Sequence, residues 1–273
     1  MVLCSILQQP IGIFDSGLGG LTVLKEVMDM LPNESIVYFG DSGRAPYGTK
    51  SEEVIVKYTF QDINFLQSND VKIVVMGCNT ASACSLEEVL KKIDIPIVDV
   101  VGPGAAAAAK QTRNGKIGVI GTAATISSGV YEKAIKKINP EIEVFGKECS
   151  MFVPLVEEGW WDDSIAYSIC ERYLKQLKDD GVDTLILGCT HYPLLKNTIG
   201  QVMGSDVLLV NSAIEVAKAV KNTLDELKLN YNGEHKPEYK FFTSDSVEKF
   251  KTLGSTFLGR EIENVKSADI ERY

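Results

Sequence analysis

Short apolar runs alternate with longer amphipathic segments along most of the chain, and this alternation limits the possible fold more than any other feature. Nine runs have strand character, being rich in β-branched residues and bounded by glycine; they include IGIFD at Ile11, IVVMG at Ile73 and TLILG at Thr184. Mostly apolar strands that alternate with helices are typical of parallel sheets covered on both faces. The sequence therefore predicts an α/β fold.

The segments between these runs have helical character. Their apolar residues recur with the spacing of one helix face, which predicts helices over Leu21 to Leu31, Glu52 to Gln67, Leu86 to Ile93, Tyr131 to Ile138, Ser164 to Lys178, Ala213 to Leu227 and Val247 to Phe257. The alanine run from Ala105 to Ala109 indicates close packing of a further helix. Each predicted strand is therefore followed by a helix that can cover the sheet.

A weak internal repeat runs through the strands. Three segments recur later in the chain after 106, 106 and 111 residues: IGIFDSG at Ile11 with IGVIGTA at Ile117, IVYFGD at Ile36 with IEVFGK at Ile142, and VVMGCNT at Val74 with LILGCTH at Leu185. Short aliphatic strands look alike by chance, but the shared order and spacing favour two related halves. Each half then contains one cysteine directly after a strand.

Those two cysteines, Cys78 and Cys189, lie where parallel sheets bind ligands. Ligands of such sheets bind beyond the carboxyl ends of the strands, where loops and helix N-termini converge. Asp41 and the pair Asp15 and Ser16 follow strands in the same way. We therefore expect these side chains to line one site, in a cleft between the halves.

Small polar residues after Cys78 predict the start of a helix. Residues 79–82 read NTAS, and the first backbone N–H groups of a helix lack intrahelical acceptors, so they suit a carboxylate ligand. The same helix start is expected to favour the thiolate of Cys78. If the chain is still extended after Cys189, His191 lies on the same side of the strand and can relay a proton.

One thiol in each half suggests a specific reaction. Two thiols that face opposite sides of one carbon can invert it, because the thiolate removes a proton while the thiol donates one. The α-hydrogen of an amino acid is a very weak acid, so the site has to stabilise a carbanion, and the sequence contains no cofactor motif. Asp15 and His191 are the nearest candidates to assist.

The composition narrows the choice of partners. A net charge of −9 disfavours binding to nucleic acid or to an anionic membrane. The chain begins without a basic segment and an apolar stretch, and no apolar run approaches the roughly 18 residues of a membrane span. We therefore expect a soluble, cytoplasmic protein whose cysteines are thiols, of which four are structural: Cys4, Cys84, Cys149 and Cys170.

Five motifs together resemble the glutamate racemase family, the cofactor-independent enzymes that supply D-glutamate for peptidoglycan. They are IGIFDSGLGGLTVL, YFGDSGRAPYG, GCNTASA, FVPLVEEG and LILGCTHYPLL, and they occur in the family's order between about Ile11 and Ala213. The resemblance implies that Cys78 and Cys189 are catalytic, the first acting on D-glutamate and the second on L-glutamate. It also implies supporting roles for Asp15, His191 and Glu157, with Glu158 as a near alternative. Substrate contacts implied by the same motifs are Asp15, Ser16, Tyr47, Gly48, Asn79, Thr80, Thr190 and His191.

The resemblance also implies an architecture. Residues 1–98 and 208–273 form a first lobe with Cys78, residues 99–207 form a second lobe with Cys189, and the site lies between them. A homodimer is expected, with no cofactor, metal, nucleic acid or membrane as partner. Ala45 stands where many relatives have cysteine, and the segment after about Leu227 matches the family poorly, which leaves the last strands open.

Other interpretations remain open at this stage. A close variant of the reaction could use aspartate. Cys189 and His191 could form a nucleophilic pair in a hydrolase, which leaves Cys78 without a role. Two lobes could close on an amino acid without catalysis, or Cys78, Cys189 and His191 could bind zinc. Asp15 could merely cap the helix that follows it.

Overall fold

The computed structural model describes residues 6–233 and 236–273 of the chain. Cys4 lies outside the described residues. Ten strands form within the described ranges: β1 (Ile11–Asp15), β2 (Ile36–Gly40), β3 (Ile73–Met76), β4 (Ile97–Asp99), β5 (Lys116–Gly121), β6 (Glu143–Glu148), β7 (Thr184–Gly188), β8 (Leu208–Asn211), β9 (Tyr239–Thr243) and β10 (Val265–Ser267).

Helices follow nearly every strand. Those described here are α1 (Leu21–Met30), α2 (Glu52–Gln67), α3 (Asn79–Lys92), α4 (Val101–Gln111), α5 (Ala123–Ser127), α6 (Val130–Ile138), α7 (Phe152–Glu157), α8 (Ser164–Asp179), α9 (Lys196–Met203), α10 (Ser212–Leu227) and α11 (Val247–Leu258). Single turns of 3-10 helix cover Ser42–Arg44, Tyr47–Thr49, Tyr192–Leu195 and Ile270–Arg272. Within the described ranges, no helix has the length and apolarity that crossing a bilayer requires.

The strands form two parallel sheets, which confirms the predicted α/β class. The first sheet has the order β10-β9-β2-β1-β3-β4 and the second has the order β6-β5-β7-β8. All pairings within both sheets are parallel. The chain thus returns from the second sheet to the first, where β9 joins the free edge of β2.

The two sheets repeat one arrangement. The order β2-β1-β3-β4 in the first sheet corresponds to β6-β5-β7-β8 in the second. Gly12 lies opposite Val74 in the first sheet, and Gly118 lies opposite Leu185 in the second. This agrees with the sequence repeat, in which Gly118 corresponds to Gly12 and Leu185 corresponds to Val74. The strands that precede Cys78 and Cys189 are therefore structural counterparts.

In one of the three pairs of repeated segments, the structural counterpart lies two residues away from the position that the sequence repeat predicts. Ile11 lies opposite Ile36, whereas Ile117 lies opposite Val144 rather than Ile142. The counterpart of Ile36 is therefore Val144, two residues beyond the predicted position. A shift of two residues leaves every side chain on the same face of the sheet, so the apolar pattern alone does not distinguish the two registers.

Strand pairing also adjusts the predicted lobe boundaries. Asp99, assigned to the second lobe from sequence, ends β4 and pairs in the first sheet. Residues 208–211, assigned to the first lobe, form β8 and pair with β7 in the second sheet. By strand pairing, the chain leaves the second sheet only after Asn211.

Two local predictions differ from the structure. The amphipathic pattern placed the start of this helix at Leu86, whereas α3 begins at Asn79, where the small polar residues after Cys78 predicted a helix start. The amphipathic pattern began too late because the small polar residues of the first two turns carry no apolar stripe. The short strand β10 gave no signal in the sequence, since three residues with one buried side chain show no usable alternation.

Helix α10 joins the two halves. It packs on α1 next to the first sheet and on α4 next to the second. Ile11 of the first sheet, Val119 of the second sheet and Val216 of α10 belong to one continuous apolar core. A second core, with Phe14 and Val74, fills the other face of the first sheet under α2 and α3. The carboxyl ends of β1, β3 and β7 are thereby held close together.

Candidate active site

The loops after β1, β3 and β7 meet and carry the predicted catalytic side chains. Cys78 caps the start of α3, and its Sγ donates a hydrogen bond to Ser16 Oγ at 3.5 Å. The backbone N–H of Ala81 donates to the same sulfur at 3.4 Å. The side chain of Cys78 is therefore held by Ala81 of its own helix and by Ser16 of the loop after β1.

The helix start favours the thiolate of Cys78 as expected, but burial favours the thiol more strongly. Burial raises the pKa of the Cys78 thiol, the charge of Asp15 raises it further, and the value reaches about 12. The hydrogen bonds with Ser16 and Ala81 lower the pKa but do not outweigh burial. Cys78 is therefore a protonated thiol in the unliganded protein.

Cys189 has a different neighbour. Its Sγ lies 3.9 Å from His191 Nδ1. The chain is not extended here as predicted, because β7 ends at Gly188 and His191 has helical dihedrals at the start of the turn Tyr192–Leu195. A turn, rather than strand periodicity, brings the thiol and the imidazole together.

His191 connects Cys189 to Glu157. Its Nε2 lies 3.4 Å from Glu157 Oε1, within ion-pair distance but without hydrogen-bond alignment. Burial lowers the pKa of His191, but the Cys189 sulfur, Glu157 and Asp15 outweigh burial and raise it to about 10. His191 is therefore an imidazolium at neutral pH, and its positive charge lies beside the Cys189 sulfur.

The two candidate glutamates differ in position. Glu157 is the last residue of α7, and the contact with His191 lowers its pKa. Glu158 follows outside the helix and is exposed. The geometry thus brings Glu157, rather than Glu158, to His191.

Asp15 lies at the centre of the loops. It is fully buried, and its carboxylate accepts hydrogen bonds from the Gly17 N–H at 3.0 Å and from Thr190 Oγ1 at 3.3 Å. Burial raises the pKa of Asp15, while the positive charge of His191 lowers it. No side chain caps α1, so Asp15 is not the helix cap considered from sequence.

The residues after each cysteine bind to the opposite half of the molecule. Thr190 in the second half donates to Asp15 in the first, as described above. Thr80 in the first half shares a hydrogen bond with Thr122 Oγ1 in the second, at 2.9 Å. Asn79 Oδ1 accepts a hydrogen bond from Tyr131, on α6 of the second half, at 2.6 Å.

Tyr47 and Gly48 lie on the turn that follows the first 3-10 helix. The Tyr47 hydroxyl points into a buried cluster, where it binds Asp41 and Asp62. A Cβ on Gly48 would lie 2.6 Å from the Cβ of Thr122, so only glycine allows this turn to pack against the second half. The backbone of the turn, rather than the tyrosine hydroxyl, borders the site.

The loops are closely packed against one another. A Cβ on Gly19 would lie 2.5 Å from His191 Nδ1, which leaves no room for a larger residue. A small cavity of about 10 Å³ touches Asn79, Cys189 and Thr190. That volume is too small to hold an amino acid.

Sequence reasoning missed Thr122 and Tyr131. Thr122 had a usable signal, because it follows β5 at the position that Ser16 occupies after β1, 106 residues earlier. Tyr131 had none, since its bond to Asn79 joins residues that are 52 positions apart. Among the described residues, no three side chains of His, Cys, Asp and Glu are grouped to hold a metal ion.

Comparisons with known proteins agree with this geometry. The sequence profile of the family Asp/Glu/hydantoin racemase matches residues 21–220. Glutamate racemase from Geobacter metallireducens is 49% identical over 261 residues, which cover 96% of this chain and 97% of that protein. Glutamate racemase from Neisseria meningitidis is 44% identical over 265 residues, covering 96% and 97%. The crystal structure of glutamate racemase from Francisella tularensis in complex with D-glutamate has a TM-score of 0.92 and 39% identity, and it covers 98% of this chain and 100% of its own.

Proposed function

The chain belongs to the Asp/Glu/hydantoin racemase family, in which it is a glutamate racemase and hence an amino-acid isomerase, and from this premise we propose that Cys78 and Cys189 perform the proton transfers. The observation that carries the proposal is the pair of corresponding strands, each followed by a buried cysteine at the meeting point of the two halves. A two-base racemase needs one base on each side of the substrate carbon.

The protonation states fit a reaction that starts with L-glutamate. The Cys189 thiolate takes the proton from Cα, which forms the Cys189 thiol and a carbanion. The Cys78 thiol then donates its proton to the opposite face, which forms D-glutamate and the Cys78 thiolate. The reverse sequence converts D-glutamate, and exchange of one proton between the sulfurs and solvent resets the enzyme.

His191 and Asp15 influence the charges of the two sulfurs in this proton transfer. The imidazolium of His191, with Glu157 beyond it, stabilises negative charge on Cys189. The buried Asp15 disfavours negative charge on Cys78, which keeps a proton there for donation. In this proposal, the two sulfurs of the site share a single transferable proton. The reaction then proceeds without pyridoxal phosphate.

The remaining side chains suit the charged groups of glutamate. The first N–H groups of α3, at Asn79 and Thr80, lack acceptors inside the helix and can bind a carboxylate. Ser16, Thr190 and the backbone of the turn at Gly48 border the same space. We assign substrate binding to these residues together with Asp15 and His191, with Tyr47 contributing through its backbone.

We further propose a role for the product and a setting for the enzyme. The D-glutamate would supply peptidoglycan synthesis in the cytoplasm, and the enzyme would act as a homodimer. The family resemblance of the motifs, the absence of a membrane-spanning helix among the described residues, and the net charge of −9 support this setting.

A hydrolase is the alternative with a specific observation in its favour. Cys189, His191 and Glu157 lie in a row, as the nucleophile, base and orienting acid of a hydrolase do. In that reaction, however, the buried thiol at Cys78 has no task. The proposal that uses both sulfurs accounts for more of the site.

Circular dichroism tests the proposed function. Purified protein is incubated with L-glutamate and, separately, with D-glutamate, with a metal chelator present and no added cofactor. Decay of the optical signal to zero from both enantiomers is expected. Signals that persist, with L- and D-aspartate equally stable, would contradict the proposal and favour the hydrolase.

A further inference from the structure

A cluster of charged residues is buried beside the turn that carries Tyr47 and Gly48. Arg44 donates from Nε to Asp41 Oδ2 at 2.7 Å and from Nη2 to Asp62 Oδ1 at 3.1 Å. Both carboxyl groups are fully buried. Two carboxyl groups thus face one guanidinium in a space with little water.

The Tyr47 hydroxyl lies between the same two carboxyl groups. Its oxygen is in hydrogen-bond contact with Asp41 Oδ2 and lies 2.9 Å from Asp62 Oδ2. A tyrosine hydroxyl has one proton, so it can donate one full hydrogen bond. With both carboxyl groups ionised, the second contact would place two oxygens together without a proton between them, which is costly in a buried site.

We propose that Asp62 keeps a proton in the folded enzyme and donates it to Tyr47, and that this neutral carboxyl group positions the turn at Gly48 for substrate binding. The resulting chain of hydrogen bonds runs in one direction, from Asp62 to Tyr47 and from Tyr47 to Asp41. The cluster then contains one carboxylate and one guanidinium, and their charges balance.

The number of donors distinguishes the two carboxyl groups. Asp41 accepts from three donors, since Ser244 Oγ donates to its Oδ1 at 2.7 Å in addition to Arg44 and Tyr47. Among the described residues, Asp62 accepts only from Arg44, through Oδ1, and its Oδ2 faces Tyr47 alone. The proton therefore belongs on Asp62 Oδ2, because the better solvated carboxylate keeps the charge.

The surrounding charges agree with this assignment. Burial raises the pKa of Asp62 well above its ordinary value, the charges of Asp41 and Asp15 raise it further, and Arg44 lowers it. Burial likewise raises the pKa of Tyr47, so its hydroxyl remains protonated. Arg44 also faces Glu271, whose side chain is 63% exposed, so water largely screens the charge of this glutamate.

The cluster bears on the active site through the turn. Tyr47 and Gly48 belong to one turn of 3-10 helix, and Gly48 packs against Thr122 in the second half. Holding the Tyr47 ring on one side fixes the backbone on the other. Asp62 is thus a positioning residue for the substrate-binding turn, a step that rests on the proposed function.

Carbon-13 NMR of protein labelled at the aspartate carboxyl carbon tests the protonation. We expect one buried carboxyl resonance at the position of a protonated acid at neutral pH, present in the wild-type protein and absent in Asp62→Asn. A spectrum in which the resonance lost in Asp62→Asn is that of an ionised carboxylate would overturn the proposal. This measurement needs no turnover, so its result stands even if the enzyme acts on another substrate.

Kinetics of two variants test the positioning role. Asn can place its oxygen toward Arg44 and its N–H toward Tyr47, as the protonated acid does, so Asp62→Asn should keep KM within about twofold. Asp62→Leu offers neither group, and its KM should rise about tenfold while kcat changes less. An Asp62→Asn variant as impaired as Asp62→Leu would show that the side chain is ionised, and equal KM values in both variants and wild type would exclude the positioning role.

Discussion

The two cysteines occupy corresponding places in the fold but experience opposite electrostatic surroundings. Burial and, to a lesser degree, the nearby carboxylate of Asp15 raise the pKa of Cys78 to about 12. Cys189 lies 3.9 Å from a histidine whose pKa rises to about 10. The repeated backbone therefore presents two thiols, while the unrepeated side chains around them differ in charge.

This difference suits a racemase that must hold one proton for two bases. If both sulfurs were thiolates, neither could donate to the carbanion, and if both were thiols, neither could remove a proton. Under the proposed mechanism, an anion beside one sulfur and a cation beside the other would leave one proton for the two sulfurs to share. The different loop residues beside the two corresponding strands would thus give the two sulfurs different roles in the proposed reaction.

The largest expected effect comes from removing either sulfur. Cys78→Ser and Cys189→Ser should each lower racemisation by at least ~1000-fold, because a hydroxyl is far less acidic than a thiol. Polarimetry with each enantiomer measures the loss, and far-ultraviolet circular dichroism checks the fold. Cys84→Ser, outside the loops, is the matched control and should retain full activity. Retained turnover in either single variant would contradict the two-base assignment.

Removing the cation beside Cys189 should have the next largest effect. His191→Gln should lower kcat/KM by about 100-fold in both directions, since an equilibrium constant of one obliges both values to fall together. The asymmetry appears instead in the α-deuterium isotope effect, which should grow more for L-glutamate than for D-glutamate. Growth for D-glutamate alone would place His191 with the wrong thiol.

The two adjacent glutamates allow a smaller, matched comparison. Glu157→Gln should lower kcat/KM about fivefold, because a half-exposed carboxylate adds modestly to the charge that keeps His191 protonated. Glu158→Gln should leave activity unchanged. Equal effects in the two variants, measured by steady-state kinetics, would remove Glu157 from the site.

The last expected effect concerns stability rather than activity, and it is a dependence of stability on pH. The pKa of His191 rises from 6.5 unfolded to about 10 folded, so its stabilising contribution is complete below 6.5 and disappears as pH rises through about 10. Urea unfolding of wild type and His191→Gln across this interval should show a difference that shrinks with rising pH. A constant difference would mean that His191 is neutral in the folded protein.

The fold and the two thiols could be predicted because their signals are local. Apolar strands, amphipathic helices and the cysteines that end β3 and β7 all appear in short stretches of sequence. The proton on Cys78 could not be predicted, because helix-start geometry and burial act in opposite directions and only the structure shows that burial prevails.

Contacts between distant segments were also beyond sequence reasoning. Tyr131 meets Asn79, and Arg44 meets Asp62, only because the loops of separate strands converge. Neither tyrosine nor arginine shows a local pattern that indicates its partner. His191 was identified for the right neighbour but with the wrong backbone conformation, since a turn and a strand can both place residues i and i+2 on one side.

Exchange of the α-hydrogen in D₂O, followed by proton NMR, tests the division of labour between the thiols most directly. Cys78→Ser retains the thiol assigned to L-glutamate and should exchange the α-hydrogen of that enantiomer only, while Cys189→Ser should exchange that of D-glutamate only. Exchange of the same enantiomer by both variants, or of neither enantiomer by either variant, would contradict the assignment of one sulfur to each face.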